Sequence, residues 1–158
     1  MSNKIKIVRP DQDRQAVFGA GDEYYYYATG ADTDGQYFFF ESVVPPGGGP
    51  PPHVQTREEE AFYILEGEVT FYAEGKETVA TKGTFLNVPK GVRHRFRNNS
   101  DTNARMLVFF APAGIEEMFE EMGKNEANYA KHPQGFLFAL NEAGKQFGVS
   151  FFEEDEKE

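Results

Sequence analysis

His53-Val-Gln55-Thr-Arg-Glu-Glu-Glu60-Ala-Phe-Tyr-Ile-Leu-Glu-Gly67 is the stretch whose reading decides the fold. Extended upstream it becomes Gly47-x5-His53-x-Gln55-x4-Glu60-x6-Gly67. A second spaced pattern follows, Gly83-x5-Pro89-x-Gly91-x2-His94-x3-Asn98. The chain has 3 histidines, and these patterns hold two of them. Side chains alternate along a strand, so His53 and Gln55 face one side. Glu60 joins them from the next stretch, with Phe62 and Ile64 following at the same period. His94 and Phe96 stand on a later segment that a closed sheet brings alongside. Gly67 and Gly91 suit tight turns, and Pro89 suits a strand end where no ladder donor is needed.

Working outward, residues 4 to about 111 read as short strands broken by turns. Ile5 and Ile7 alternate with Lys4 and Lys6, while Glu23–Thr29 and Gln36–Val44 are aromatic and β-branched. Ala61–Leu65 and Val69–Ala73 flank Glu66-Gly67 and predict a hairpin. Further strands are expected at Glu77–Thr81, Thr84–Val88, His94–Arg97 and Arg105–Ala111, with turns at Ala20–Asp22, Asp32–Gly35, Glu74–Lys76 and Lys82-Gly83. Such spacing predicts an all-β sandwich or barrel, and the lack of a long internal repeat predicts one barrel. Pro45-Pro-Gly-Gly-Gly-Pro-Pro-Pro52 is a stiff connector running straight into His53.

After Pro112 the period changes. Ile115, Met118, Phe119 and Met122 form one helical stripe, and Phe136, Leu140, Ala143 and Phe147 form another. Gly123 and Gly148 are the expected helix stops. The domain reading is a β-barrel over 1–112, a helical segment over 113–152 packed on the barrel or a partner, and an acidic tail over 153–158.

Composition narrows the function. The formal net charge of −10 disfavours phosphate backbones and anionic lipid surfaces, so neither nucleic acid nor membrane is an expected partner. With 0 cysteines, any metal must be held by nitrogen and oxygen donors. No apolar run is long enough to cross a bilayer, and the opening residues lack a signal-peptide core, so a cytoplasmic protein is expected.

Taken together, the two spaced patterns resemble the signature motifs of the cupin superfamily, small jelly-roll (double-stranded β-helix) barrels that hold one divalent metal. The stretch Pro50-Pro-Pro-His53 through Glu60-Ala-Phe62-Tyr-Ile-Leu-Glu-Gly67, with the tail from Pro112 to Val149, is similar to bacterial quercetin 2,3-dioxygenase-like single-domain cupins. The resemblance implies one ion of Fe, Mn, Ni, Co, Cu or Zn on His53, Gln55, Glu60 and His94. It implies Glu60 as base on a substrate hydroxyl, and a small aromatic or enolic substrate. Gln55 stands where the family has a second histidine. It is either a fourth ligand, a partner to water or substrate beside a His53–Glu60–His94 triad, or the mark of a metal-free site. Tyr24, Tyr26, Phe38, Phe40, Phe62, Ile64 and Phe96 are the expected substrate-facing residues, with plain core packing as the competing reading. Other expected readings are a metal-assisted isomerase or lyase using Glu60, and a non-catalytic sensing cupin. A homodimer is expected. Glu58 or Glu59 is expected to be solvated, and His132 to be exposed and inert.

Overall fold

The computed structural model describes residues 4–10, 16–19 and 22–154. Its strands are β1 (Ala16–Gly19), β2 (Asp22–Ala28), β3 (Phe38–Val44), β4 (His53–Gln55), β5 (Glu59–Glu66), β6 (Glu68–Ala73), β7 (Lys76–Thr81), β8 (Phe85–Val88), β9 (His94–Arg97), β10 (Ala104–Ala111) and β11 (Val149–Phe151). They form two antiparallel sheets, ordered β1-β2-β3-β10-β5-β8 and β11-β4-β9-β6-β7. The inner faces meet in the core. Alternation drives this: Phe38, Phe40 and Val44 of β3, Phe62 and Ile64 of β5, and Met106, Val108 and Phe110 of β10 are all buried. Phe62 and Phe71 touch across the gap between sheets, with ring centroids 4.9 Å apart. This is the expected all-β jelly roll.

Several expectations are corrected. β5 and β6 do not form a hairpin across Gly67; they lie in different sheets. Gly67 has φ 75°, and a Cβ there would sit 2.9 Å from the Asn103 carbonyl oxygen. A one-residue link in this conformation turns the chain from one sheet to the other. Each strand then buries its apolar face against the opposite sheet rather than lying beside its neighbour. By contrast Glu74-Gly75, both at positive φ, do close the β6–β7 hairpin. Ile5 and Ile7 are exposed and lie outside any strand. The Ala20-Gly21 part of the expected turn and residues 155–158 of the acidic tail lie outside the described residues.

Helices occupy three places: α1 (Gly30–Thr33), α2 (Glu116–Ala130) and α3 (Phe136–Gly144), the last followed by a 3-10 turn at Lys145–Phe147. α2 runs through Gly123 for another two turns, because glycine ends a helix only when it takes the left-handed conformation, and the following residues keep the helix going. Gly148 does take it, at φ 70°. The chain then forms β11, which a helical reading of 113–152 does not contain. β11 pairs with β4, setting Val149 opposite Gln55 and Phe151 opposite His53. Its outer edge is closed by Asn141 of α3, whose amide nitrogen donates to the Phe151 carbonyl while its oxygen accepts from the Phe151 N–H. One side chain thus satisfies backbone groups that an open edge would leave unpaired.

Candidate metal centre and its apolar chamber

The proline-glycine connector sets the approach to the site. Gly47 N–H donates to the Asn98 carbonyl and Asn98 N–H to the Gly48 carbonyl, tying the loop to the end of β9. A Cβ on Gly49 would lie 2.0 Å from the Phe96 carbonyl oxygen, so only glycine lets the loop pass this close. The buried Asn98 amide donates to the Val44 and Thr102 carbonyls, and its oxygen accepts from Ser100. The chain therefore enters β4 in fixed register with β9, and His53 pairs with His94. Their ring centroids are 4.3 Å apart.

Glu60 comes from β5 in the other sheet and points at the same place. Nitrogen or oxygen donors of His53, Glu60 and His94 all lie within 4.8 Å of one another, and all three residues are buried. Each imidazole is locked by its backbone. Nδ1 of His53 donates to the Pro51 carbonyl and Nδ1 of His94 to the Val92 carbonyl, both at 3.0 Å. A carbonyl only accepts, so Nδ1 carries the hydrogen in both rings and the Nε2 atoms are left for the site.

Electrostatics divides the two rings. Burial, reinforced by the neighbouring His94 charge, holds the His53 pKa down at about 3, so this ring is neutral. His94 Nε2 lies 2.9 Å from Glu60 Oε1, and the carboxylate pushes the His94 pKa up against the opposing effect of burial. Burial raises that of Glu60, which the hydrogen bond and charge of His94 oppose. The pair shares one proton between two buried groups. Gln55 Nε2 donates to the same Glu60 oxygen at 3.1 Å, while Gln55 Oε1 is buried with no partner. Glu60 Oε2 accepts none of these bonds.

These features fit a metal ion. Three converging donors, two imidazoles held in one tautomer, and an orphaned amide oxygen beside them are the properties a nitrogen–oxygen site requires. The converging donors are those of His53, Glu60 and His94; Gln55 stands beside them, bonded to Glu60 through its amide nitrogen.

His53, Gln55 and Glu60 also line a cavity of about 90 Å³. Of the expected aromatic wall, Tyr24, Phe40, Phe62 and Phe96 line it. Tyr26, Phe38 and Ile64 do not; they belong to the packing behind it, with Tyr26 against Phe38 at 4.8 Å. The remaining wall is not evident from the motifs. Met106, Val108 and Phe110 continue the strand alternation, and extending that period finds them. Ile115, Met118, Phe119 and Met122 of the α2 stripe and Phe136 and Leu140 of α3 close the chamber, so both helical stripes pack on the barrel. Val149 and Phe151 complete it, the latter 5.9 Å from the His53 ring.

Three other side chains complete the comparison with expectation. Glu58 is buried, not solvated, and its unpartnered Oε2 reflects a carboxyl whose pKa burial pushes up to about 7. Glu59 is exposed and accepts from the Lys90 N–H at 2.6 Å, tying β5 to the turn that leads into β9. His132 is half-buried, its Nδ1 accepting from the Gln134 N–H.

Residues 40–110 match the cupin domain family. A stretch of 71 residues is 32% identical to quercetin 2,3-dioxygenase of Bacillus subtilis, spanning 45% of this chain but only 21% of that enzyme. Among solved structures, a predicted oxalate decarboxylase from Thermotoga maritima is 22% identical with a TM-score of 0.60, covering 67% of this chain and 98% of its own. A cupin-superfamily sugar phosphate isomerase from Silicibacter pomeroyi is 18% identical with a TM-score of 0.59, covering 66% and 74%. At such identities these structures speak for the fold alone. With the spaced motifs, the two antiparallel sheets and the converging donors already in place, the chain has the cupin fold, with a cupin-domain match over residues 40–110 and a likeness to quercetin 2,3-dioxygenase over that motif-bearing stretch.

Proposed function

We propose that this cupin is a metal-dependent dioxygenase of the quercetinase type, acting on a small aromatic or enolic compound. One observation carries the reading: the donors His53, Gln55 and Glu60 open onto a chamber walled otherwise, Ser42 apart, by aromatic and aliphatic side chains. His53, Glu60 and His94 hold one divalent ion of Fe, Mn, Ni, Co, Cu or Zn, with Gln55 as the fourth donor through Oε1. A bound cation stabilises negative charge on a substrate oxygen and so lowers the pKa of the hydroxyl it came from. Glu60 takes that proton, through Oε2, the oxygen not engaged by His94 and Gln55. The hydrogen bond from Gln55 Nε2 to Oε1 holds the carboxylate in place. The apolar walls keep water from the reacting atoms. Metal binding must displace the proton held between Glu60 and His94, so affinity rises with pH.

Purified protein, prepared without a chelating tag, should contain stoichiometric metal and consume dioxygen when given a flavonol. Stoichiometric metal without oxygen uptake would favour the isomerase or lyase reading, with Glu60 still the base. Gln55 favours the alternative of a non-catalytic binding or sensing cupin, because its amide nitrogen already engages Glu60. Absence of stoichiometric metal would decide for that alternative.

The working assembly in this reading is a cytoplasmic homodimer. Among the described residues no helix is long and apolar enough to cross a membrane. The outer face of the larger sheet exposes Tyr63, Phe85 and Phe109, and Arg105 beside them is already paired with Glu41 and Glu66. A second copy can cover that apolar face. Sedimentation of wild type and Phe85→Glu tests this: wild type should be dimeric and the variant monomeric.

A further inference from the structure

We propose that Ser42 is the residue that selects the ligand at the end of the chamber remote from the metal donors, by hydrogen-bonding a hydroxyl or carbonyl of an elongated substrate. The inference rests on the chamber being the substrate site, as proposed above. Ser42 lies on β3 with its side chain turned inward, is 1% exposed, and lines the chamber. Its Oγ is buried without a partner. Buried polar groups are paired as a rule, so an orphan on a cavity wall calls for an explanation. Among the described residues, two orphaned side-chain polar atoms belong to the chamber lining, Ser42 Oγ and Gln55 Oε1. Gln55 stands beside Glu60; Ser42 is elsewhere.

Strand register gives the separation. The inward rows of the larger sheet are Phe38–Phe110–Glu60, Phe40–Val108–Phe62 and Ser42–Met106–Ile64. Ser42 thus stands four residues along the strand direction from the row of Glu60, or ~13 Å at the usual rise per residue. The row between is wholly apolar. Tyr24, paired with Ser42 in register, and Met106 flank it on the chamber wall. A molecule spanning this length presents its reacting oxygen to Glu60, its apolar body to Phe40, Phe62 and Val108, and a polar group to Ser42. The serine hydroxyl can donate or accept, so either a hydroxyl or a carbonyl satisfies it. Without a ligand this hydroxyl is a burden that alanine would not impose, and binding relieves it.

The test uses the full chain loaded with zinc, which is redox-inert and permits binding without turnover. Calorimetric titration compares a flavonol bearing an unsubstituted phenyl ring with the same flavonol carrying hydroxyls on that ring, against wild type and Ser42→Ala. Wild type should prefer the hydroxylated probe by about three- to tenfold, the worth of one hydrogen bond. Ser42→Ala should lose that preference, bind the unsubstituted probe as tightly as wild type, and melt no lower. A preference that survives in Ser42→Ala, or one absent from wild type although both probes bind, overturns the role of Ser42 alone. If neither probe binds wild type, the chamber is not a flavonol site, and the proposed substrate class fails along with this inference.

Discussion

The chamber has two walls of opposite character. The barrel wall, from β3, β4, β5, β9 and β10, places Ser42, His53, Gln55 and Glu60 among aromatic rings. The C-terminal wall, from α2, α3 and β11, presents Met118, Phe119, Met122, Leu140, Val149 and Phe151 and no titratable group. Chemistry is thus confined to one side, while the other side excludes water. The second role is not passive. The low His53 pKa and the raised Glu60 pKa both have burial as their largest cause, and residues such as Phe151 supply part of that burial. Changes to the donors of the barrel wall should therefore alter metal binding, whereas changes in the C-terminal wall should chiefly cost stability and leave the donors in place.

The largest effect should come from His94→Ala, which removes a donor and leaves Glu60 buried without its main partner. Metal affinity should fall on the order of a thousandfold, ~4 kcal/mol, in competition with a chromogenic chelator. A loss under tenfold would undo the contrast at its strongest point. Next comes Met118→Ala in the C-terminal wall, where a 2% exposed side chain would leave a void. Urea unfolding should show a cost of about 3 kcal/mol, with metal stoichiometry unchanged. Metal loss without destabilisation would show that the walls are not divided in this way.

Asp22 adds a dependence on pH. Its carboxyl is 2% exposed, with Oδ1 unpartnered, and burial raises its pKa from 3.8 to about 7. The folded state therefore holds a proton that the unfolded chain has released, and this contribution is complete below about pH 4 and lost as pH rises through about 7. Asp22→Asn should change nothing at pH 4 and stabilise at pH 8 by on the order of 2 kcal/mol, read from unfolding curves at the two pH values. A variant whose stability differs from wild type equally at both would show that Asp22 does not titrate as described. The smallest effect belongs to Gln55→His. It should tighten metal binding by about tenfold, because imidazole is a better donor than an amide oxygen to late transition metals. No change would place Gln55 outside the coordination sphere.

Much of the barrel wall is legible in the order of the amino acids. Period-two alternation carries His53 with Gln55, Glu60 with Phe62 and Ile64, and His94 with Phe96, because the side chains of one strand face two ways only. That rule states a face and not a destination. It places Ile64 and Phe62 inward alike, yet Phe62 meets the cavity and Ile64 lies in the packing behind it. The same rule cannot say which strand lies beside which, and Gly67 reads as a hairpin turn although it carries the chain from one sheet to the other. Glu58 shows a further gap. A glutamate in a charged run reads as solvated, and only the packed fold decides that its carboxyl is buried.

The jelly-roll class and the four residues of the candidate site come with the resemblance to the cupin motifs, whereas an all-β sandwich or barrel and the positions of both apolar helical stripes follow from local rules. Those rules are the strand and helix periods. Folding in three dimensions was needed to bring β11 beside His53, to close the chamber with the helical stripes, and to turn Ser42 and Glu60 toward a common void. Each of these is a meeting of segments far apart in the chain. Which apolar face covers which depends on shape and on hydrogen bonds such as those of Asn141, and the hydrophobic effect that drives the covering carries no direction of its own.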